Sequence, residues 1–131
     1  MSENTYLLDV STLVALLWHN HTHHARVITW STGKKLAVCP VTELGFLRVA
    51  TSPAYHATMA QARDTLKAFL KDQAPEFIPA DTRALDGEVA PTSSKTTDWY
   101  LANLAKIHGM KWATLDEGAN HPNAELITCA N

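Results

Sequence analysis

Residues 5–11 read TYLLDVS, and they introduce the first side chain that could carry chemistry. The apolar run ahead of Asp9 predicts a short buried strand that ends on this acid. In an open parallel α/β sheet, ligands bind just beyond the carboxyl ends of the strands. Asp9 is therefore a candidate site residue, provided that other polar side chains reach the same edge.

Strand and helix patterns alternate along the rest of the chain. Further strands are predicted at residues 36–39, 76–78, 111–115 and 125–129. The spacing of apolar residues predicts helices around residues 13–17, 25–30, 43–50, 56–71 and 98–108. Ser11 or Thr12 is the expected N-cap of the first helix, and Thr42 that of helix 43–50. This alternation predicts an α/β fold with a parallel sheet between helices on both faces.

The composition fits a single soluble domain over residues 1–131. Hydrophobic residues make up 46% of the chain and charged residues 18%, which is an ordinary globular mixture. The net charge of −2 argues against a chain-wide basic surface for nucleic acid. We expect no membrane span and no signal peptide, because no apolar run has the required length or flanks. Cys39 and Cys129 lie outside any CxxC motif, so we interpret them as thiols in a reducing cytoplasm.

Four acids occupy equivalent places relative to the predicted sheet. Asp9 and Asp116 end strands, whereas Glu43 and Asp98 stand in the first turns of helices. Because parallel strands end at one edge, the four carboxylates are expected to converge there. Such a cluster would repel itself unless a cation neutralised it, and Mg²⁺ or Mn²⁺ suits an oxygen-rich pocket. The set therefore predicts metal-assisted hydrolysis of a phosphodiester, since the chain has no serine nucleophile elbow, Walker loop or GxGxxG.

Four segments in fixed order carry a family resemblance: LLDVS, TELGFLRV, TTDWYLANLAKIHG and ATLDEG. Together they resemble the PIN-domain family and, within it, the VapC-type toxins of bacterial toxin–antitoxin systems. The resemblance implies a three-layer α/β/α sandwich with a central, mainly parallel sheet of about five strands. It also implies a Mg²⁺- or Mn²⁺-dependent endoribonuclease, with a cognate antitoxin as partner and a homodimer as a common assembly. The metal-site acids of the family correspond to Asp9, Glu43, Asp98 and Asp116.

Other residues are candidates for contacts with an RNA substrate. Many relatives have Asn at the position of Ser11, whose hydroxyl could still bond Asp9 or a metal-bound water. Arg48 and Lys95 are candidates for phosphate contacts. Trp99 could stack on a base, but its place in an amphipathic helix favours packing in the core.

Two alternatives compete with the ribonuclease hypothesis, and a separate zinc hypothesis concerns the histidines near the N-terminus. LLDVST superficially resembles the strand-end motif of haloacid-dehalogenase-like phosphatases, but Ser11 stands where that motif needs its second aspartate. The fold could instead be a catalytically silent binding module whose acidic pocket receives a basic peptide of a partner. Four histidines at residues 19–24 could bind zinc, yet only His19 and His23 have i, i+4 spacing, and a solvated turn is the simpler interpretation. The presence of all four acids favours the enzyme.

Overall fold

The computed structural model describes residues 4–128, and its centre is one parallel sheet. The strands are β1 (Thr5–Leu8), β2 (Lys35–Val38), β3 (Glu76–Phe77), β4 (Lys111–Thr114) and β5 (Ala124–Leu126). Their order across the sheet is β3-β2-β1-β4-β5, and every neighbouring pair is parallel. The predicted parallel sheet is therefore confirmed, with β1 at its centre.

Helices cover both faces of this sheet. Within residues 4–128 they are α1 (Val10–Leu17), α2 (His24–Ser31), α3 (Pro40–Ala50), α4 (Met59–Gln73) and α5 (Thr96–Ile107). Successive strand residues point to opposite faces, so Leu8 and Val38 pack in one core with α1–α4. Leu7 and Trp112 belong to the second core, which α5 covers. The three-layer α/β/α sandwich is thereby confirmed.

The strand order reverses between β1 and β4. The chain first builds outward from β1 to β3 and then returns to build β4 and β5 on the other side. Leu8 pairs with Ala113 across this boundary, and the Asp9 N–H donates to the Ala113 carbonyl oxygen at 3.2 Å. In open α/β sheets, the ligand crevice forms outside the strand ends at such a reversal. Asp9 lies at this point.

α1 begins earlier than the sequence pattern suggested. Its first residue is Val10, and its N-cap is Asp9 rather than Ser11 or Thr12. Aspartate is as effective an N-cap as serine, because its carboxylate accepts a bond from a free N–H of the first turn. The prediction of Ser11 or Thr12 as the cap was therefore wrong, and β1 passes into α1 without a loop.

α3 also begins before its predicted start at residue 43. Its first residue is Pro40, whose missing N–H costs nothing in a first turn, and Cys39 is the N-cap. Thr42 is thus inside the helix and is not its cap. Its hydroxyl donates instead to the carbonyl oxygen of Leu8 at 2.9 Å. This bond ties the start of α3 to the end of β1.

The remaining elements lie close to their predicted bounds. α4 begins at Met59 instead of residue 56 and ends at Gln73. The predicted strand 125–129 is observed as β5, Ala124–Leu126, and Cys129 lies outside the described residues. In the described range 4–128, no helix combines the length and apolarity that crossing a membrane requires.

Candidate metal centre

Asp9 is an enclosed acid, with 2% of its surface exposed. Its Oδ1 accepts a hydrogen bond from the Thr12 N–H at 2.6 Å, which caps α1 and fixes the side chain. Burial raises the pKa of Asp9 to about 6, although interactions with Thr12 and Thr114 oppose the rise. With this pKa the carboxyl is mostly ionised at neutral pH, where its buried charge lowers stability and a nearby cation would offset that loss.

Asp98 lies in the first turn of α5, the helix that leads into β4. Burial raises the pKa of Asp98, the charge of Asp116 raises it further, and Lys95 lowers it. The charge of Asp98 in turn raises the pKa of Asp9. The charges of the three aspartates are therefore linked in sequence, Asp116 acting on Asp98 and Asp98 on Asp9.

Asp116 follows β4 closely and differs from the other acids in its surroundings. Its Oδ2 accepts from the Lys95 ammonium at 2.9 Å, and its Oδ1 accepts from the Gly118 N–H at 2.9 Å. Its own N–H donates to the Thr114 hydroxyl at 3.1 Å. The bonds from Lys95 and Gly118 hold the pKa of Asp116 below its usual value. Asp116 is therefore a stable anion without any further partner.

Glu43 lies in the first turn of α3, next to the bond that joins Thr42 to the end of β1. It is partly buried, and burial raises its pKa. Within the described part of the chain, no repulsion from Asp9, Asp98 or Asp116 contributes to that rise. Glu43 thus reaches the predicted edge, but it is not part of the interacting set formed by the three aspartates.

The donor chemistry of these acids fits a hard divalent cation. Carboxylate oxygens are the ligands that Mg²⁺ and Mn²⁺ prefer, and the buried charge of Asp9 would be neutralised by such an ion. Among residues 4–128, however, no three His, Cys, Asp or Glu side chains lie close enough together to hold a metal ion as they stand. The same finding covers the histidine cluster, so the zinc hypothesis has no support. His24 Nδ1 instead bonds the Ala15 carbonyl oxygen, and the His23 ring contacts the Arg26 guanidinium.

The residues predicted to contact substrate have different surroundings. Ser11, in the first turn of α1, and Arg48, in the last turn of α3, are exposed. Lys95 is occupied, because its ammonium holds Asp116 and the Gly118 carbonyl oxygen. Trp99 is partly buried, and its indole N–H donates to the carbonyl oxygen of Ala119 at 3.0 Å. This bond fixes Trp99 as a packing residue, which agrees with the interpretation favoured above.

The sequence reasoning missed a buried polar network behind the Asp116 loop. Asn103 of α5 accepts hydrogen bonds from His121 Nε2 at 2.8 Å and from the Glu88 N–H at 3.2 Å. His121 Nδ1 accepts in turn from the Asn123 N–H at 3.0 Å. These bonds anchor the loop that follows Asp116 to α5. The signal was an asparagine among the apolar residues of α5, since a buried amide needs partners.

Comparisons with known proteins agree with this architecture. A family model described as "PIN domain" matches residues 6–124. "Ribonuclease VapC38" of Mycobacterium tuberculosis is 38% identical over 120 residues, which cover 86% of this chain and 85% of that protein. "Ribonuclease VapC29" of the same species is 33% identical over 126 residues, with 93% of each chain covered. A crystal structure of VapBC2 from Rickettsia felis, bound to a DNA fragment from its promoter, shares the fold. Its TM-score is 0.59 at 16% identity, with 93% of this chain and 96% of that chain covered.

Proposed function

The chain belongs to the PIN-domain family and is a relative of its VapC ribonucleases, and from this membership we propose that it hydrolyses RNA phosphodiester bonds as a metal-dependent endoribonuclease. We further propose that it is the toxin of a toxin–antitoxin pair. Two observations on different levels support the activity. The related ribonucleases match over most of their length, and the chain has a buried acid, Asp9, where the strand order of its sheet reverses.

We propose that Asp9, Glu43, Asp98 and Asp116 form a centre for Mg²⁺ or Mn²⁺. Asp9 is the central ligand, Glu43 and Asp98 share the ion, and Asp116 completes the rim. When bound, such an ion polarises water and stabilises the developing negative charge at a phosphodiester. Bound cations also turn an acidic pocket into one that attracts phosphate, which reconciles an RNA substrate with the net charge of −2.

The residues of the chain prepare Asp9 for this role. The Thr12 N–H donates to one oxygen of the Asp9 carboxylate at 2.6 Å. This bond restricts the side chain to one rotamer, so little conformational entropy would be lost on metal binding. Burial keeps water away from the acid, so its negative charge is poorly solvated and would be stabilised by a nearby cation. The Thr42 hydroxyl fixes the start of α3 against β1, which holds Glu43 at the same edge. Ser11 and Arg48, both exposed, are the proposed contacts for the RNA backbone.

The burial of Asp9 at the reversal of the strand order is the observation that carries this proposal. The test is cleavage of RNA by the purified protein in millimolar Mn²⁺, with and without excess chelator. We expect fragments that appear with Mn²⁺ and are abolished by the chelator. Fragments that persist in chelator would contradict a metal-dependent reaction. A protein that binds Mn²⁺ without cutting any RNA would favour the catalytically silent binding module.

The wider setting is also proposed. Membership of the VapC group supports a cognate antitoxin as partner, a homodimer and a location in the cytoplasm. We further propose that residues 1–131 form one PIN domain. Copurification of a second, coexpressed protein encoded beside this chain would support the antitoxin, and a monomer at micromolar concentration by light scattering would contradict the dimer.

A further inference from the structure

The ammonium group of Lys95 forms an ion pair with Asp116, one of the acids of the proposed metal centre. Lys95 closes the 3₁₀ turn Ser93–Lys95 that leads into α5, and its Nζ lies 2.9 Å from Asp116 Oδ2. The same ammonium donates to the carbonyl oxygen of Gly118 at 2.6 Å. Lys95 is less exposed than its partner, with 23% of its side chain accessible against 40% for Asp116. Lys95 is therefore held at two points and differs from a solvated surface lysine.

Both carboxylate oxygens of Asp116 are already occupied by the chain. Oδ2 is held by Lys95, while Oδ1 accepts from the Gly118 N–H at 2.9 Å. The Gly118 backbone lies so near that a Cβ there would be 3.4 Å from Asp116 Oδ1 and 3.6 Å from Lys95 Nζ. Each carboxylate oxygen keeps a second lone pair, so the N–H bond alone does not prevent metal binding, but a cation at Oδ2 would lie against the positively charged Lys95 ammonium.

Asp9 and Asp98 have surroundings that differ from those of Asp116. Asp9 is 2% exposed, and the donor on its Oδ1 is the uncharged Thr12 N–H at 2.6 Å. Asp98 lies in the first turn of α5, whereas the Lys95 ammonium is bonded to Asp116 and Gly118. A divalent cation gains most where no other positive group already neutralises the carboxylates. An ion that approached Asp116 would also meet the charge of Lys95.

We propose that Lys95 is a built-in counter-cation of Asp116, which withholds this acid from metal and limits the centre to one divalent ion, bound by the other three acids, Asp9, Glu43 and Asp98. This inference rests on the metal centre proposed above and refines it. It assigns Asp116 to the support of the loop that follows β4, with Lys95 as the residue that positions it. A metal centre with all four acids as ligands would instead require the Lys95–Asp116 pair to open.

Isothermal titration calorimetry tests this inference. Mn²⁺ is titrated into protein from which chelator has removed metal, and the number of ions bound per chain is measured. We expect one Mn²⁺ per chain in the wild type. Lys95→Met keeps the length of the side chain but removes its charge, so Asp116 becomes free and we expect a second Mn²⁺ per chain. Lys95→Arg keeps the charge and should return the stoichiometry to one. Two ions per wild-type chain, or identical titrations of wild type and Lys95→Met, would overturn the inference.

A matched control and a second variant complete the design. Lys67 is exposed on α4, so Lys67→Met makes the same charge change away from the centre and should bind Mn²⁺ as the wild type does. Asp116→Asn is a second test of whether Asp116 binds metal, and its result is informative even if Lys95→Met fails to fold. It should bind one Mn²⁺ per chain, and the double variant Lys95→Met/Asp116→Asn should also bind one, because the second ion needs the free Asp116 carboxylate; a second Mn²⁺ in the double variant would overturn the inference.

The same titration separates the inference from the proposed function. A wild type that binds no Mn²⁺ and cuts no RNA would refute the metal-dependent ribonuclease and remove the basis of the Lys95 inference together with it. A wild type that binds Mn²⁺ and cuts RNA, but whose binding does not change on replacement of Lys95, would refute only the inference.

Discussion

Replacing Asp9 by asparagine should make the metal-free protein more stable at neutral pH. Burial of the carboxylate raises the pKa of Asp9 from 3.8 to about 6 in the folded protein. A rise of this size lowers the free energy of unfolding by about 3 kcal/mol once the acid is ionised. Asparagine removes the charge, keeps the shape of the side chain and is an equally effective N-cap for α1. A substitution that destroys the proposed metal ligand should therefore stabilise the fold.

The dependence on pH fixes the sign of this prediction. The pKa of Asp9 is about 6 in the folded protein and near 3.8 in the unfolded chain, so the folded state holds the proton more tightly. The wild type therefore loses stability relative to Asp9→Asn as the pH rises from about 4 through about 6. At pH 4 the two proteins should differ little. At pH 7.5 the variant should be more stable by about 2–3 kcal/mol, which raises the melting temperature by roughly 5–12 °C for a chain of this length.

Thermal melts in excess chelator at several pH values between 4 and 8 measure this difference. Asp64, exposed on α4, provides a matched control, because Asp64→Asn makes the same chemical change on the surface. The control should show no gain that grows with pH. An Asp9→Asn protein that is less stable than wild type at pH 7.5, or a difference that is the same at all pH values, would refute the reasoning from burial.

Three further results are expected. Asp98→Asn should abolish Mn²⁺-dependent RNA cleavage while the far-UV circular dichroism stays close to wild type and the melting temperature does not fall, and retained activity would remove Asp98 from the centre. Mn²⁺ should raise the melting temperature of the wild type, since an ion at 100 times its Kd adds about 2.7 kcal/mol of stability. Asp9→Asn should show at most a small rise. No shift in the wild type at millimolar Mn²⁺ would contradict the metal site. Thr42→Val removes the hydrogen bond to the Leu8 carbonyl oxygen and leaves this buried acceptor without that donor. Urea unfolding should therefore show a free energy of unfolding lower by about 1–3 kcal/mol. An unchanged midpoint would show that the bond does not hold α3 in place.

The sheet and the acids at its edge could be predicted because the relevant signals are local. Short apolar runs end on or just before Asp9 and Asp116, and their chain positions mark the ends of β1 and β4. The parallel topology then follows from the alternation with helices, and it brings distant acids to one edge. In the structure the charge of Asp98 acts on Asp9 and that of Asp116 acts on Asp98, and their sharing of one metal centre stays a prediction.

The starts of two helices could not be predicted because tertiary contacts and backbone conformation decide them. Thr42 is a good N-cap by residue type, but the chain is already helical at Pro40, and the Thr42 hydroxyl is used to bond β1 instead. The sequence pattern indicates Asp9 as a site residue, and the structure shows that the same carboxylate also caps α1. Propensity alone does not reveal which of several capping residues the chain will use.

The ion pair between Lys95 and Asp116 could not be predicted from the sequence for a different reason. The two residues are 21 positions apart, and nothing in the local pattern shows that the ammonium turns toward the loop after β4. The turn Ser93–Lys95 places Lys95 directly before α5, whose bounds the sequence pattern predicts without this turn. The prediction of Lys95 as a phosphate contact considered only the charge of the side chain. The structure adds its partners, Asp116 and Gly118.

The central claim is that a buried acid at the centre of the sheet edge makes this chain a metal-dependent ribonuclease. Its most direct test compares the wild type with Asp9→Asn in one RNA cleavage assay with Mn²⁺, after melts have shown that both proteins are folded. We predict cleavage by the wild type that chelator abolishes and no cleavage by the more stable variant. Equal cleavage by the two proteins, or no cleavage by a folded wild type that has bound Mn²⁺, would contradict the claim.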